Sequence, residues 1–219
     1  VYKRQQYDRF ITIVEFGRSV GWDHQAIHAN GPFLMADPGV QFIFLRANRD
    51  LLELARLLGM DASYDEIRGW IDLVSVGCDW LWNDKVGGYC ARDIRSGGFS
   101  DAITNASMLS FYGDVGTAEQ RASMAEHCRR ILAACQYGMP SWDPEHPDFE
   151  SRRYWRGPVW AIMNHMITTG LTDAGEAALA DRVRCDTNRL IDTQGMAEYF
   201  DPIDGTGLGG MDFSWTAAI

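Results

Sequence analysis

The sequence predicts an all-α chain. Apolar residues recur at three- and four-residue spacing in several long segments, capping boxes stand where such segments begin, and no alternation of strand and helix units is present. A helix is expected from Asp37-Pro38 to Leu58, with Leu51, Leu54, Ala55 and Leu58 on one face and Gly59 as the stop. Ser63-x-x-Glu66 reads as a capping box opening the next helix, whose stripe includes Ile67, Trp70, Ile71, Val74 and Cys78. The paired glycines within Asn83 to Ser100 predict a hairpin or ordered loop. A short helix over Asp101 to Tyr112 should follow. A second box, Thr117-x-x-Gln120, then opens a helix that places Met124, Cys128, Ile131, Leu132 and Cys135 on one face. Tyr137 to Trp155 is irregular and rich in proline, aspartate and aromatics. Pro158 suits the first turn of a helix stopping at Gly170, and a last full helix spans Thr172 to Thr193, ended by Gly195. Long loops thus fall at one end of the helix pairs, and a site is to be sought there.

Composition narrows the function. The chain has 219 residues, 46% hydrophobic and 23% charged, as expected of one large soluble domain spanning residues 1–219. With 30 acidic against 20 basic residues the formal charge is −10, which disfavours nucleic acid as a partner. No stretch approaches the roughly 18 continuous apolar residues of a membrane span, so no membrane partner is expected. Five cysteines, an odd number with no CxxC pair, read as reduced, mostly buried residues of a cytoplasmic protein. Neither end has the character of a natural terminus, and both are expected to be cut.

Two carboxylates and a set of aromatics are the candidates for chemistry. Glu198 stands between Ala197 and Tyr199, followed by Asp201-Pro202, Asp204-Gly205 and four glycines within six residues, at 205, 207, 209 and 210. Such a loop folds back on itself and brings backbone close to a ligand. Glu198 is either a catalytic carboxylate beside aromatic platforms or an exposed loop residue. Asp23 lies in Ser19-Val-Gly-Trp-Asp-His-Gln25, where it is either a proton-holding carboxyl beside Trp22 or a helix cap. Trp155 and Trp160 flank Arg156, with Asn164 beyond, which suits stacking on a sugar face and bonding to its hydroxyls. Core packing, with Arg156 as an ion-pair partner, is the other reading. His24 and His28 lack the glutamate of a zinc-protease helix, Asp201 and Asp204 make only half a calcium loop, and Gly205-x-Gly207-x-x-Gly210 has no strand before it. No cofactor and no metal are expected.

Taken together, VGWDHQ (Val20–Gln25), YWRGPVWAIMNH (Tyr154–His165) and EYFDPIDGTGLGGMDFSWTAA (Glu198–Ala218) resemble glycoside hydrolase family 63. The resemblance is to its branch of mannosylglycerate and glucosylglycerate hydrolases, and it extends to Pro140–Trp142 and the helix after Asp37. It implies the C-terminal part of an (α/α)6 barrel that hydrolyses an α-glucosidic or α-mannosidic bond with inversion, acting on a glycosylglycerate or oligosaccharide. In the family pattern the aspartate of the first block is the general acid, which falls on Asp23. The glutamate before Tyr-Phe-Asp-Pro is the general base, which falls on Glu198. The resemblance places Trp22, Gln25, Trp155, Arg156, Trp160, Asn164, Tyr199 and Trp215 around the sugar. The first block departs from the pattern: His24 and Gln25 replace Asn-Ser, and Ala26 stands where proline is expected. An alternative register, Glu15-Phe-Gly-Arg18, would put Ser19 at the acid position. A carbohydrate-binding domain without turnover and a sugar isomerase on the same barrel are the competing readings.

Overall fold

A computed structural model describes residues 4–219. In chain order its elements begin with α1 (Arg4–Ser19), α2 (His24–Asn30), β1 (Met35–Ala36), α3 (Pro38–Leu57), α4 (Asp61–Asp79), β2 (Trp82–Asn83), β3 (Gly88–Tyr89) and β4 (Arg92–Asp93). They continue with α5 (Asn105–Met108), α6 (Ala118–Ala134), α7 (Ala161–Asp173), α8 (Ala177–Gln194), β5 (Tyr199–Phe200), β6 (Gly207–Leu208) and α9 (Ser214–Ala217). The expected all-α class is what the described residues form, with strands of only two residues. No helix among the described residues is long and apolar enough to cross a membrane.

The chain divides into two compact units, one running to Ala36 and including Arg92–Gly98, the other comprising Asp37–Ala91 and Phe99–Ile219. In the first, β1 pairs antiparallel with β4, Met35 opposite Asp93, and the Arg95 guanidinium bonds the carbonyls of Gly31 and His28 at the end of α2. In the second, α3, α5, α7 and α9 are neighbours in that order, while α4 packs on α3 and α8 on α7. The core holds Phe42, Leu45, Met108, Leu109, Ile131 and Ile167, all with less than 2% of their surface exposed.

Helix starts follow local chemistry. Asp37 caps α3, its Oδ1 accepting from Val40 N–H at 3.0 Å, with Pro38 at the first position. Thr117 and Gln120 form the reciprocal box at 2.8 and 3.3 Å. Ser63 does not cap a helix. Gly59, at φ +66°, turns the chain so tightly that α4 already begins at Asp61, with Met60 at its cap position. Pro158 likewise precedes its helix: Val159 is extended and paired, and α7 starts at Ala161. Nor does Gly170 stop α7, which runs on to Asp173. That glycine is a packing residue, since a Cβ there would collide with the backbone of Phe111 and Tyr112. The helix expected over Asp101 to Tyr112 is a single turn, α5, with Thr104 and Ser107 as its cap.

The face of α3 also differs from expectation. Phe42, Leu45, Asn48 and Ala55 are buried, whereas Leu51, Leu54 and Leu58 remain exposed, as do Leu73 and Val76 of α4. This helix carries two apolar stripes, and α4 and α5 cover only one of them.

The segments leading into the helices are stitched by a run of β-bridges. Thr104 pairs with Trp142, Pro140 with Val159, Val159 with Phe200, and Phe200 with Gly207 of β6. This ribbon carries the loops where function was sought.

The cysteines are all free, but only four are buried. Cys185 is exposed on α8, and the set is mostly buried, as expected. Burial pushes the Cys78 and Cys90 thiols up to about 11, and those of Cys128 and Cys135 up to about 12. A native thiol titration at pH 8 with a disulfide reagent is therefore expected to register one fast equivalent. The other four should react only on denaturation, and loss of the fast equivalent in Cys185→Ser checks the assignment.

Candidate active site

Glu198 closes the turn after α8. Gly195, at φ +74°, ends that helix, and four residues later the chain enters β5. The Glu198 backbone N–H donates to Gly210 O at 2.8 Å, and Gly210 N–H donates to Glu198 Oε2 at 3.0 Å. The glycine-rich loop thus folds back onto the carboxylate. Gly209, at φ +74°, leaves the room it needs: a Cβ there would lie 2.5 Å from Glu198 Oε2. The other oxygen, Oε1, accepts a hydrogen bond from the Tyr154 hydroxyl at 2.9 Å. Glu198 is half-buried, held at both oxygens yet reachable.

An aromatic wall surrounds it. Trp160, almost wholly buried, stacks parallel on Trp155 at 3.9 Å and, inclined by 29°, on Tyr199 at 5.2 Å. Tyr154 meets it edge-on at 5.0 Å, and Trp215 lies tilted at 6.3 Å. Trp215 is delivered by the start of α9, where Phe213 N–H bonds Met196 O and the Thr216 hydroxyl bonds Ala197 O. Trp155 is 39% and Trp215 52% exposed, so these two present broad faces to an incoming ring. Beside Trp155 opens a cavity of about 370 Å³, lined by Asp37, Val40, Thr104, Asn105 and Trp142, among others. That volume falls within the range of small-molecule sites.

The Asp23 loop belongs to the first unit. Trp22 sits at φ +60° with its indole against Gly17, where a Cβ would come within 2.5 Å of the ring. Asp23 caps α2: its Oδ1 accepts from Ala26 N–H at 2.7 Å, and its second oxygen has no protein partner among the described residues. Gln25 is exposed on the same turn. The alternative register falls on α1 itself, where the Ser19 hydroxyl turns back to Phe16 O at 2.8 Å. Ser19 therefore closes a helix.

Some expected sugar contacts prove structural. Asn164 is 0% exposed, its amide donating to Met139 O and accepting from Met139 N–H, both at 2.8 Å. It braces the turn at Gly138–Met139 instead of reaching a ligand. Trp160 acts through the rings stacked on it. Arg156 turns to Asp148 at 3.3 Å and lies over the Trp142 ring, which is the ion-pair alternative. Tyr154, by contrast, escaped notice. Nothing in its spacing separates it from the tryptophans beside it, and its link to Glu198 spans 44 positions.

Paired helices thus carry, at their entry end, a glutamate clamped beside partly exposed aromatics. The family model described as the mannosylglycerate hydrolase MGH1-like glycoside hydrolase domain matches residues 2–216, and the chain belongs to that family. Over 219 residues the chain is 40% identical to the mannosylglycerate hydrolase of Thermus thermophilus, with 99% of this chain and 52% of the relative covered. Identity to a Selaginella moellendorffii mannosylglycerate hydrolase is 38% over 217 residues, covering 99% and 44%. Crystal structures of a Thermus thermophilus family 63 mannosylglycerate hydrolase, in complex with glucose and with Tris and D-glycerate, each match with a TM-score of 0.94. At 37% identity they cover 99% of this chain and 52% of theirs. The chain therefore spans about half the length of the relatives it matches.

The geometry around Gly209 generates a prediction. Gly209→Ala in the full-length protein should strain the left-handed backbone by about 1–2 kcal/mol and displace the carboxylate. Turnover is expected to fall by up to about 100-fold, the scale of an ångström's misplacement within a site. The melting temperature should drop by only a few degrees. Parallel assays of turnover and thermal melting check both halves.

Proposed function

We propose that the whole protein is an inverting glycosidase that splits the α-mannosidic or α-glucosidic bond of a glycosylglycerate. The observation that carries the reading is Glu198, held by Tyr154 and Gly210 among exposed aromatics in a chain of the MGH1-like family. Support for a small substrate comes from the relatives' names and from the glucose and D-glycerate found with the Thermus enzyme.

In this reading Glu198 is the general base. It orients a water and takes its proton as the water oxygen bonds to the anomeric carbon. Asp23 is the general acid: it delivers a proton to the glycosidic oxygen as the bond to that carbon breaks. The engaged Oδ1 of Asp23 fixes the carboxyl at the head of α2, and the other oxygen is left for the transferred proton. Attack on the face opposite the leaving group releases glycerate and a sugar of inverted anomeric configuration. Trp155, Tyr199 and Trp215 offer ring faces to the apolar side of the sugar.

A domain that binds carbohydrate without turnover is the second reading. It is favoured by the helix-capping role of Asp23 and by His24, Gln25 and Ala26 in the altered block. Ligand binding without product release by the full-length protein would select it.

Glu198→Gln is expected to cut turnover by about 10²–10⁴-fold while sugar binding persists. Asp23→Asn should damage hydrolysis of a glycosylglycerate far more than that of an activated aryl glycoside, whose leaving group needs little protonation. Equal losses on both substrates would remove Asp23 from the acid role. Proton NMR of the first-formed anomer tests the stereochemistry, and a retained configuration would exclude the inverting mechanism.

A further inference from the structure

We propose that Tyr154 is the positioning residue for Glu198, and that its loop is anchored for this task by the ion pair of Arg152 with Asp201. The proposal rests on the reading of Glu198 as general base. A glutamate's terminal torsion is soft and broad, so a carboxylate held at one oxygen swings. Here both oxygens are engaged by donors from separate segments, Tyr154 OH at 2.9 Å on Oε1 and Gly210 N–H at 3.0 Å on Oε2. Together they fix the carboxylate plane and leave the remaining lone pairs to orient water. The Tyr154 hydroxyl has one hydrogen, and that hydrogen is spent on Glu198. Its part in recognising a sugar hydroxyl would therefore be as acceptor only.

The backbone shows what holds this tyrosine. Tyr154 sits at φ +36°, a conformation that a bulky residue keeps only where its surroundings over-determine it. Trp160 Nε1–H donates to Tyr154 O at 3.0 Å, and the phenol ring lies edge-on to Trp160 and Tyr199 at 5.0 and 5.4 Å. The loop closes on itself through Glu150 N–H to Arg156 O and Arg153 N–H to Glu150 O, both at 2.9 Å. Gly157 permits the closure, because a Cβ there would collide with Glu150 O.

The same loop grips the glutamate's strand at a second point. Arg152 Nε donates to Asp201 Oδ2 at 2.7 Å and the Ser151 hydroxyl joins at 3.2 Å, while Arg152 Nη2 reaches Asp204 at 2.5 Å. Asp201 is 2% exposed, and its Oδ1 accepts from Ile203 N–H. Residues 152 and 154 therefore clasp residues 201 and 198, on either side of Tyr199–Phe200. Arg152 acts on the carboxylate only by keeping Tyr154 in reach, which makes it a positioning residue at one remove.

The test uses the full-length protein with α-mannosylglycerate and α-glucosylglycerate as probes. Tyr154→Phe, which deletes only the hydroxyl, is expected to lower kcat about 10- to 100-fold with KM changed less than about twofold. In a Glu198→Gln background it should cause no further loss, because its effect runs through that carboxylate. Arg152→Met should lower kcat in the same direction, less than additively with Tyr154→Phe. Should Tyr154→Phe fail to fold, the comparison of Arg152→Met alone and in the Glu198→Gln background carries the test. A raised KM with kcat preserved in Tyr154→Phe would make Tyr154 a substrate contact and overturn the proposal, as would a further loss in the Glu198→Gln background. Wild-type kcat in Arg152→Met would overturn the anchoring role. Near-normal turnover in Glu198→Gln would instead bring down the functional reading beneath it.

Discussion

Two backbone hydrogen bonds between Val159 and Phe200, at 2.8 and 2.9 Å, hold the wall of the site together. In an antiparallel pair the residues flanking a bridge are cross-strand neighbours. The bridge therefore sets Trp160 against Tyr199 and fixes the strand on which Glu198 sits. Val159 and Phe200 are themselves 0% exposed, packed with Ala161, Leu190 and Ala197. Burial of those five shields the two bonds from water, where they would count for little. The register of the functional side chains is thus secured by a small apolar cluster behind them.

Polar networks fix what lies beneath that cluster. Asp186, nearly buried, accepts from Gly138 N–H at 3.0 Å and is paired with Arg182 at 2.5 Å, and Asn164 binds Met139 from the other side. The segment that leads to Pro140 and Trp142 is therefore held by side chains of α7 and α8. Nearby, Arg130 grips Asp143 at 2.6 and 3.0 Å. Burial alone would push the Asp143 carboxyl up, but this guanidinium, together with the Glu145 N–H and the His127 charge, holds the group below the usual carboxylate range. A carboxylate with a depressed folded value supports the fold above its unfolded range and loses that support as pH falls. Acid should therefore loosen this loop first at its ion pairs.

The sequence made legible much of what depends on local chemistry, although the Ser63-x-x-Glu66 box and Pro158 misplaced two helix starts. Asp37-Pro38 and Thr117-x-x-Gln120 marked helix starts because a cap is satisfied within one turn. The isolated Glu198 before a proline and a glycine run was visible for the same reason. Misreadings arose where a distant segment decides the outcome. Gly170 resembles a helix stop until the backbone of Phe111–Tyr112 is seen crossing it. Leu51, Leu54 and Leu58 form as regular a stripe as Phe42, Leu45 and Ala55, and only the placement of α4 and α5 chooses between them. Asn164 looked like a ligand contact because an amide serves a sugar and a buried turn equally well. Tyr154 and Arg152 could not be singled out, since their partners lie 44 and 49 positions away.

The parallel pair of Trp155 and Trp160 has an optical consequence. Indole rings with centroids 3.9 Å apart and planes inclined by only 3° are placed for their excited states to couple. Their absorption and emission are therefore a property of the pair, not of two independent chromophores. One partner is sealed in the interior and the other has a face open to solvent. A molecule that settles on the open face alters the polarity felt by the shared state without disturbing the inner ring. The wall consequently carries its own spectroscopic reporter, readable with no label attached.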